Sequence, residues 1–265
     1  MLFAAWVGRM ALRKLEKKAV EAGSILCFGM DPKAGMGDVA GYYSSIADAL
    51  LEESLISAIK PNYAYFAALG FDGLHALKQI IDRYREKTFV ILDAKRGDIG
   101  KSSEAYAREA YEFWGADAVT VAPYMGEDSI APFIRDGKVA YVLGRTSNPG
   151  AKDFEELKCG KGKVYEKVCA KAARMGAGLV VGATSDALPR VVKLVGKDVP
   201  MLVPGIGAQG GDFDVLKALR ENPMIHRVNS SSSIAFAWEK KGGKPEKAAV
   251  KEAEFLNKEI GKRVF

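Results

Sequence analysis

Short apolar runs rich in β-branched residues recur along the chain at intervals of roughly 20 to 40 residues. Eight can be read: 24–29 (SILCFG), 55–60 (LISAIK), 88–93 (TFVILD), 118–122 (AVTVA), 139–143 (VAYVL), 179–182 (LVVG), 201–203 (MLV) and 225–229 (IHRVN). They are nearly continuous in apolar character rather than alternating, which is the pattern of strands buried on both faces in a parallel sheet. Between them, apolar residues return at helical spacing over 39–53, 73–84, 104–113, 163–175, 187–194 and 213–220, with a shorter segment at 128–135. A helix is expected over 11–22 before the first run, and a closing helix over 245–260. Eight strand-then-helix units in about 250 residues predict an α/β fold, a single-domain (β/α)8 TIM barrel spanning residues 1–265. The competing architecture, an open doubly wound sheet, would want GxGxxG after its first strand; here that strand runs into Gly29-Met30-Asp31-Pro32.

Composition narrows the chemistry. At 265 residues, 48% hydrophobic and 27% charged, the chain is ordinary globular material. No window holds the roughly 18 apolar residues of a membrane span. The apolar start MLFAAWVGRMAL lacks a preceding basic region and a small-residue cleavage site, so no secretory signal is expected. Cys27, Cys159 and Cys169 form no CxxC pair, which speaks for a reduced, cytoplasmic setting. The two histidines, His75 and His226, build no HExxH or paired-ligand set, so no metal centre is expected. Carboxylates and lysines are left as the reactive groups. The net charge of +6 comes from 39 Lys and Arg against 33 Asp and Glu, much of it in runs such as Arg13-Lys14-Leu15-Glu16-Lys17-Lys18. Such a run reads as a solvated helix face rather than a nucleic-acid stripe, and an anionic small substrate suits the balance equally.

In a barrel, function gathers where strands end. The first three ends carry Asp31, Lys60-Pro61-Asn62 and Asp93-Ala94-Lys95-Arg96-Gly97-Asp98. Asp93 and Lys95 are two residues apart, so an extended strand would point both to one face, within reach of Lys60. This cluster reads either as an ion-pair network closing the barrel or as a site built to handle a carboxylate and a proton. After the seventh run, Pro204-Gly205-Ile206-Gly207-Ala208-Gln209-Gly210-Gly211-Asp212 could bring backbone amides close to an anion, where barrels often hold phosphate. Arg145-Thr146-Ser147-Asn148-Pro149-Gly150-Ala151 and the polar stretch to Gly162 suit either a lid that reads a polar ring or a plain surface turn.

Taken together, GMDP (29–32), KPN (60–62), DAKRGDIG (93–100), PYMGEDS (123–129), RTSNPGA (145–151), VGAT (181–184) and PGIGAQGGD (204–212) make the chain similar to the orotidine 5′-phosphate decarboxylases. The likeness is closest to the subgroup carrying DAKRGDIG. The resemblance implies cofactor-independent conversion of OMP to UMP in pyrimidine synthesis. It implies a charged tetrad of Lys60, Asp93, Lys95 and Asp98, with Lys95 protonating C6 of the pyrimidine. Asp98 would be supplied across the interface of a homodimer. Asp31, Ile99 and Ser102 would contact the substrate, Asp31 and Ser102 at the ribose; Ser147 would bond the base, and Gln209 with Gly210 the phosphate. Neither metal, nucleic acid nor membrane is implied.

One position departs from the family pattern. In Ser230-Ser231-Ser232-Ser233-Ile234, Ser232 stands where the resemblance leads one to expect a phosphate-binding arginine. Serine cannot supply that charge, so Lys152, Lys240 or Lys241 would have to swing in, or turnover would be impaired. Lys101 adds a further cation beside the expected interface. A degenerate nucleotide- or phosphate-binding barrel is therefore the alternative reading.

Overall fold

A computed structural model describes residues 2–206 and 212–265, with the side chains of residues 2–11 outside that description. Eight parallel strands close into a barrel in chain order: β1 (Leu26–Met30), β2 (Ala58–Pro61), β3 (Phe89–Arg96), β4 (Ala118–Val121), β5 (Val139–Arg145), β6 (Gly178–Val181), β7 (Met201–Val203) and β8 (Arg227–Ser230). β8 returns to β1 with Leu26 beside Val228 and Cys27 beside Asn229.

Two apolar layers follow from the strand period of two. Inward residues such as Cys27, Ala58, Phe89, Ile91 and Tyr141 fill the barrel, and Leu15 from the N-terminal helix Leu2–Ala22 closes it from below. Outward residues such as Phe28, Ile59, Val90 and Val142 pack instead against the surrounding helices. At the barrel floor Arg227 is fully buried. It donates to the carbonyls of His226 (2.7 Å) and Met224 (3.1 Å), and also to that of Leu15, tying the first helix to the last strand. Burial pushes its guanidinium down to about 10, with Tyr141 and Cys27 opposing.

All eight expected strands are present. β2 begins at Ala58 rather than Leu55, because the Leu55 amide is still spent on the carbonyl of Leu50, finishing the preceding helix. The first helix begins at Leu2 rather than Ala11. Helix Val39–Glu52 starts where Asp38 accepts from the Gly41 amide (2.8 Å), and the closing helix Pro245–Val264 starts on a proline with no amide to satisfy. The expected helix over 213–220 is a 3-10 helix, Phe213–Leu219. That over 104–113 begins at Gly100 and ends in a π turn, Glu109–Phe113. The segment at 128–135 is a short helix, Glu127–Ile130, followed by a 3-10 turn. Three short helices, Tyr63–Ala67, Ser232–Ala235 and Trp238–Lys241, have too few residues to show a period in sequence. The polar stretch after Gly150 contains a small antiparallel hairpin, Lys158–Cys159 with Gly162–Lys163.

Candidate active site

The charged groups meet where β2, β3 and β4 end. Lys60 Nζ lies 2.6 Å from Asp93 Oδ2, and Lys95 Nζ lies 2.7 Å from Asp93 Oδ1. Thr120 Oγ1, from β4, donates to the same Oδ1 at 2.9 Å. One buried carboxylate thus takes three donors, which is what a charge needs when removed from water. Lys60 and Asp93 are buried, whereas the Lys95 side chain is half exposed. Burial alone would raise the Asp93 carboxyl, but Lys60 and Lys95 outweigh it and hold the group well below the usual carboxylate range. Burial likewise opposes the Lys60 ammonium, yet Asp93 and Asp31 hold it above its ordinary value.

Lys95 reaches Asp93 by a different route from the one expected. The strand is not extended there: Leu92 pairs with Val119 and Arg96 with Val121, so β3 carries extra residues opposite β4. At this bulge Lys95 adopts φ +47°, a left-handed conformation that costs a non-glycine residue on the order of 1–3 kcal/mol. Its amide is anchored to Thr120 Oγ1 at 2.9 Å. Beyond it, the Arg96 guanidinium is clamped between the rings of Tyr63 (4.2 Å) and Tyr106 (4.8 Å) and bonds Glu109 through two nitrogens (3.0 and 2.7 Å). The strained turn is therefore held on both sides.

A cavity of about 230 Å³ opens over Lys60 and Asp93, lined also by Asp31, Asn229, Gly205, Ile206 and Ser231 to Ser233, but not by Lys95. Ser232 also borders a second cavity of about 230 Å³, lined by Lys33, Lys240 and Lys241. Lys33 is engaged by Glu239 (2.7 Å) and lies 3.7 Å over the Phe236 ring, and Lys241 is engaged by Glu252 (2.5 Å). Lys240 makes no ion pair among the described residues. Lys152, on the short helix Ala151–Phe154, borders neither cavity.

Of the residues singled out in the sequence, Lys60, Asp93, Lys95 and Asp31 are brought together. Asp98 is not: it accepts from the Ile99 amide (2.8 Å), and neither it nor the exposed Ile99 and Ser102 borders the cavity. Ser147 sits on the loop after β5, packed so closely on Gly182 that a Cβ there would lie 3.0 Å from it. Thr184 donates to the Ser147 carbonyl at 3.1 Å. That loop is stapled from below, since Glu156 takes the buried Arg145 (2.8 Å) and Glu155 takes the amide and hydroxyl of Thr146. Gln209 and Gly210 lie outside the described residues. The sequence reading missed Thr120 and Asn229; the only signal was a polar residue at an inward position of an apolar strand.

Comparison with known proteins gives one consistent result. A family description, orotidine 5′-phosphate decarboxylase / HUMPS, matches residues 25–230. The chain is 44% identical over 238 residues to the orotidine 5′-phosphate decarboxylase of Verminephrobacter eiseniae, covering 81% of this chain and 85% of that one. It is 40% identical over 232 residues to the enzyme of the same name from Roseiflexus, covering 81% and 84%. Among solved structures, Leishmania donovani OMP decarboxylase superposes with a TM-score of 0.79 at 34% identity, covering 96% of this chain and 99% of that one. The chain also spans 55% of a Leishmania donovani UMP synthase, with a TM-score of 0.78 at 36% identity and 95% of this chain covered.

Proposed function

This chain belongs to the orotidine 5′-phosphate decarboxylase / HUMPS family and is a carboxy-lyase that converts orotidine 5′-phosphate to UMP; from that premise we propose how its own residues carry the reaction. Breaking the bond between C6 and the carboxylate leaves an electron pair on C6, with carbon dioxide departing. Lys95 supplies the proton that takes up that pair, and its half-exposed position lets solvent return the proton afterwards. A fixed ammonium beside a developing carbanion, in a site whose other charges are buried, acts more strongly than it would in water. Asp93 faces the departing carboxylate and Lys60 keeps Asp93 ionised. Asp31 and Ser102 hold the ribose, Ile99 adds an apolar contact, Ser147 reads the base, and Gln209 with Gly210 holds the phosphate. Binding energy from that remote phosphate holds the ring against the repulsion.

The observation that carries this reading is the single buried carboxylate of Asp93 shared by Lys60 and Lys95 at the mouth of the barrel. The same intact cluster disfavours the alternative of a degenerate binding barrel, which would have no use for so costly an arrangement. Loss of orotidylate absorbance tests the assignment: the parent turns over, and Lys95→Ala falls by on the order of 10³-fold or more. A variant within tenfold of the parent would overturn the role of Lys95.

The working unit in this reading is a homodimer in which Asp98 completes the neighbour's site, consistent with its absence from the cavity of its own chain. The reading also places the protein in the cytoplasm. Cys27, Cys159 and Cys169 are free, and no helix among the described residues is long and apolar enough to cross a membrane. Recovery of the activity in a membrane pellet on fractionation would contradict that placement.

A further inference from the structure

Two side-chain oxygens in the cavity lack a hydrogen-bond partner among the described residues: Asp31 Oδ1 and Asn229 Oδ1. Asn229 is only 6% exposed, and a buried polar atom left unpaired destabilises a fold by about 1–3 kcal/mol. Nδ2 donates to Ser231 Oγ at 3.3 Å, which leaves Oδ1 as the free end of the amide. Room for this arrangement comes from Gly29, where a Cβ would lie 2.0 Å from Ser231 Oγ and 3.0 Å from Asn229 Oδ1. The inward position two strands from Lys60 thus carries a neutral acceptor in the cavity that Asp31 also lines, and both lack a donor among the described residues.

We propose that Asn229 is a substrate-binding residue whose Oδ1 accepts a hydrogen bond from a ribose hydroxyl of the bound nucleotide. This rests on the nucleotide reading given above. A ribose offers hydroxyl donors, which an unpaired, buried neutral acceptor in this cavity complements. The neutral amide serves where a second carboxylate would repel both Asp31 and the phosphate. Asn229 thereby reads the sugar, and a nucleotide without hydroxyls gains nothing from it.

The test is a cycle of two proteins and two ligands, read by calorimetric titration. Parent and Asn229→Leu are each titrated with uridine 5′-monophosphate and with its 2′,3′-dideoxy analogue. Leucine keeps the volume and removes the acceptor. The expected result is about tenfold weaker binding of the ribonucleotide by the variant, with no difference between the proteins toward the dideoxy analogue. The empty variant should melt no lower than the parent, because an unpaired buried acceptor has been removed. A variant that fails to fold or melts lower would overturn the proposal, since the amide would then serve the fold. Equal penalties with both ligands would overturn it too, since the residue would then act through shape alone. A parent that shows the coupling without turning over orotidylate would sink the decarboxylase reading and leave this one standing.

Discussion

At position 232 a hydroxyl occupies the wall between the two cavities, where the family resemblance leads one to expect a guanidinium. The cations nearest along that wall are Lys33 and Lys241, each engaged by a glutamate, and Lys240, which has no ion pair among the described residues. Hydrogen bonds to a charged group contribute about 1.5–3 kcal/mol, and each 1.4 kcal/mol is a factor of about ten in affinity. Ser232→Arg should therefore lower KM for orotidylate by about tenfold or more while leaving kcat within a factor of about two. An unchanged KM would mean that Lys240 or a backbone amide already holds the phosphate. Lys60, Asp93 and Lys95 were legible in sequence because charge at the end of an apolar run has few structural uses. Thr120 and Asn229 were not. A lone hydroxyl or amide inside such a run is as often an ordinary core residue, and only closure of the barrel shows it facing inward. The bulge at Lys95 was also hidden, since no glycine occupies that position and its strain is sustained from outside the local sequence, by Thr120 and by the Tyr63, Tyr106 and Glu109 that hold Arg96.

Among the elements, the eight strands were readable because burial on both faces leaves a strong local mark. Their junctions were less so, because 3-10 and π turns depend on how a helix meets its neighbours. One junction has a measurable consequence. His226 lies just before β8, buried, and its Nδ1 accepts the Met201 amide at 3.1 Å, joining the starts of β7 and β8. Burial, with help from the Arg227 charge, pushes its imidazole down to about 3 from an ordinary value of 6.5. Above pH 6.5 folded and unfolded chains are both neutral at this residue, so its contribution is fully present. As the pH falls below 6.5 the unfolded chain gains a proton that the folded chain refuses until about 3, and stability drains across that window. Tm should fall more steeply from about pH 7 to pH 4.5 in the parent than in His226→Asn, whose side-chain oxygen keeps an acceptor without the proton. Parallel slopes would show that other groups dominate acid unfolding.

For the molecule as a whole, the barrel sorts its interior by height. Apolar side chains with Leu15 and Arg227 form the lower part, and Lys60, Asp93, Thr120 and Asn229 form the upper part. The sequence made the barrel legible and left the assembly open, because Asp98 does not border the cavity of its own chain. The dimer reading is checked by co-refolding Lys95→Ala with Asp98→Asn. Each is inactive alone, but a mixed dimer restores one intact site, so about a quarter of parental activity should return. Activity no higher than the sum of the separate variants would exclude sharing. Gathering two ammonium groups around one buried carboxylate also has an evolutionary consequence. Apolar replacements of similar volume there would tend to be neutral or favourable for folding while erasing turnover. Screening variants of this chain for heat resistance alone would then enrich robust but inert barrels, so selection in the cell must act on flux to preserve the cluster.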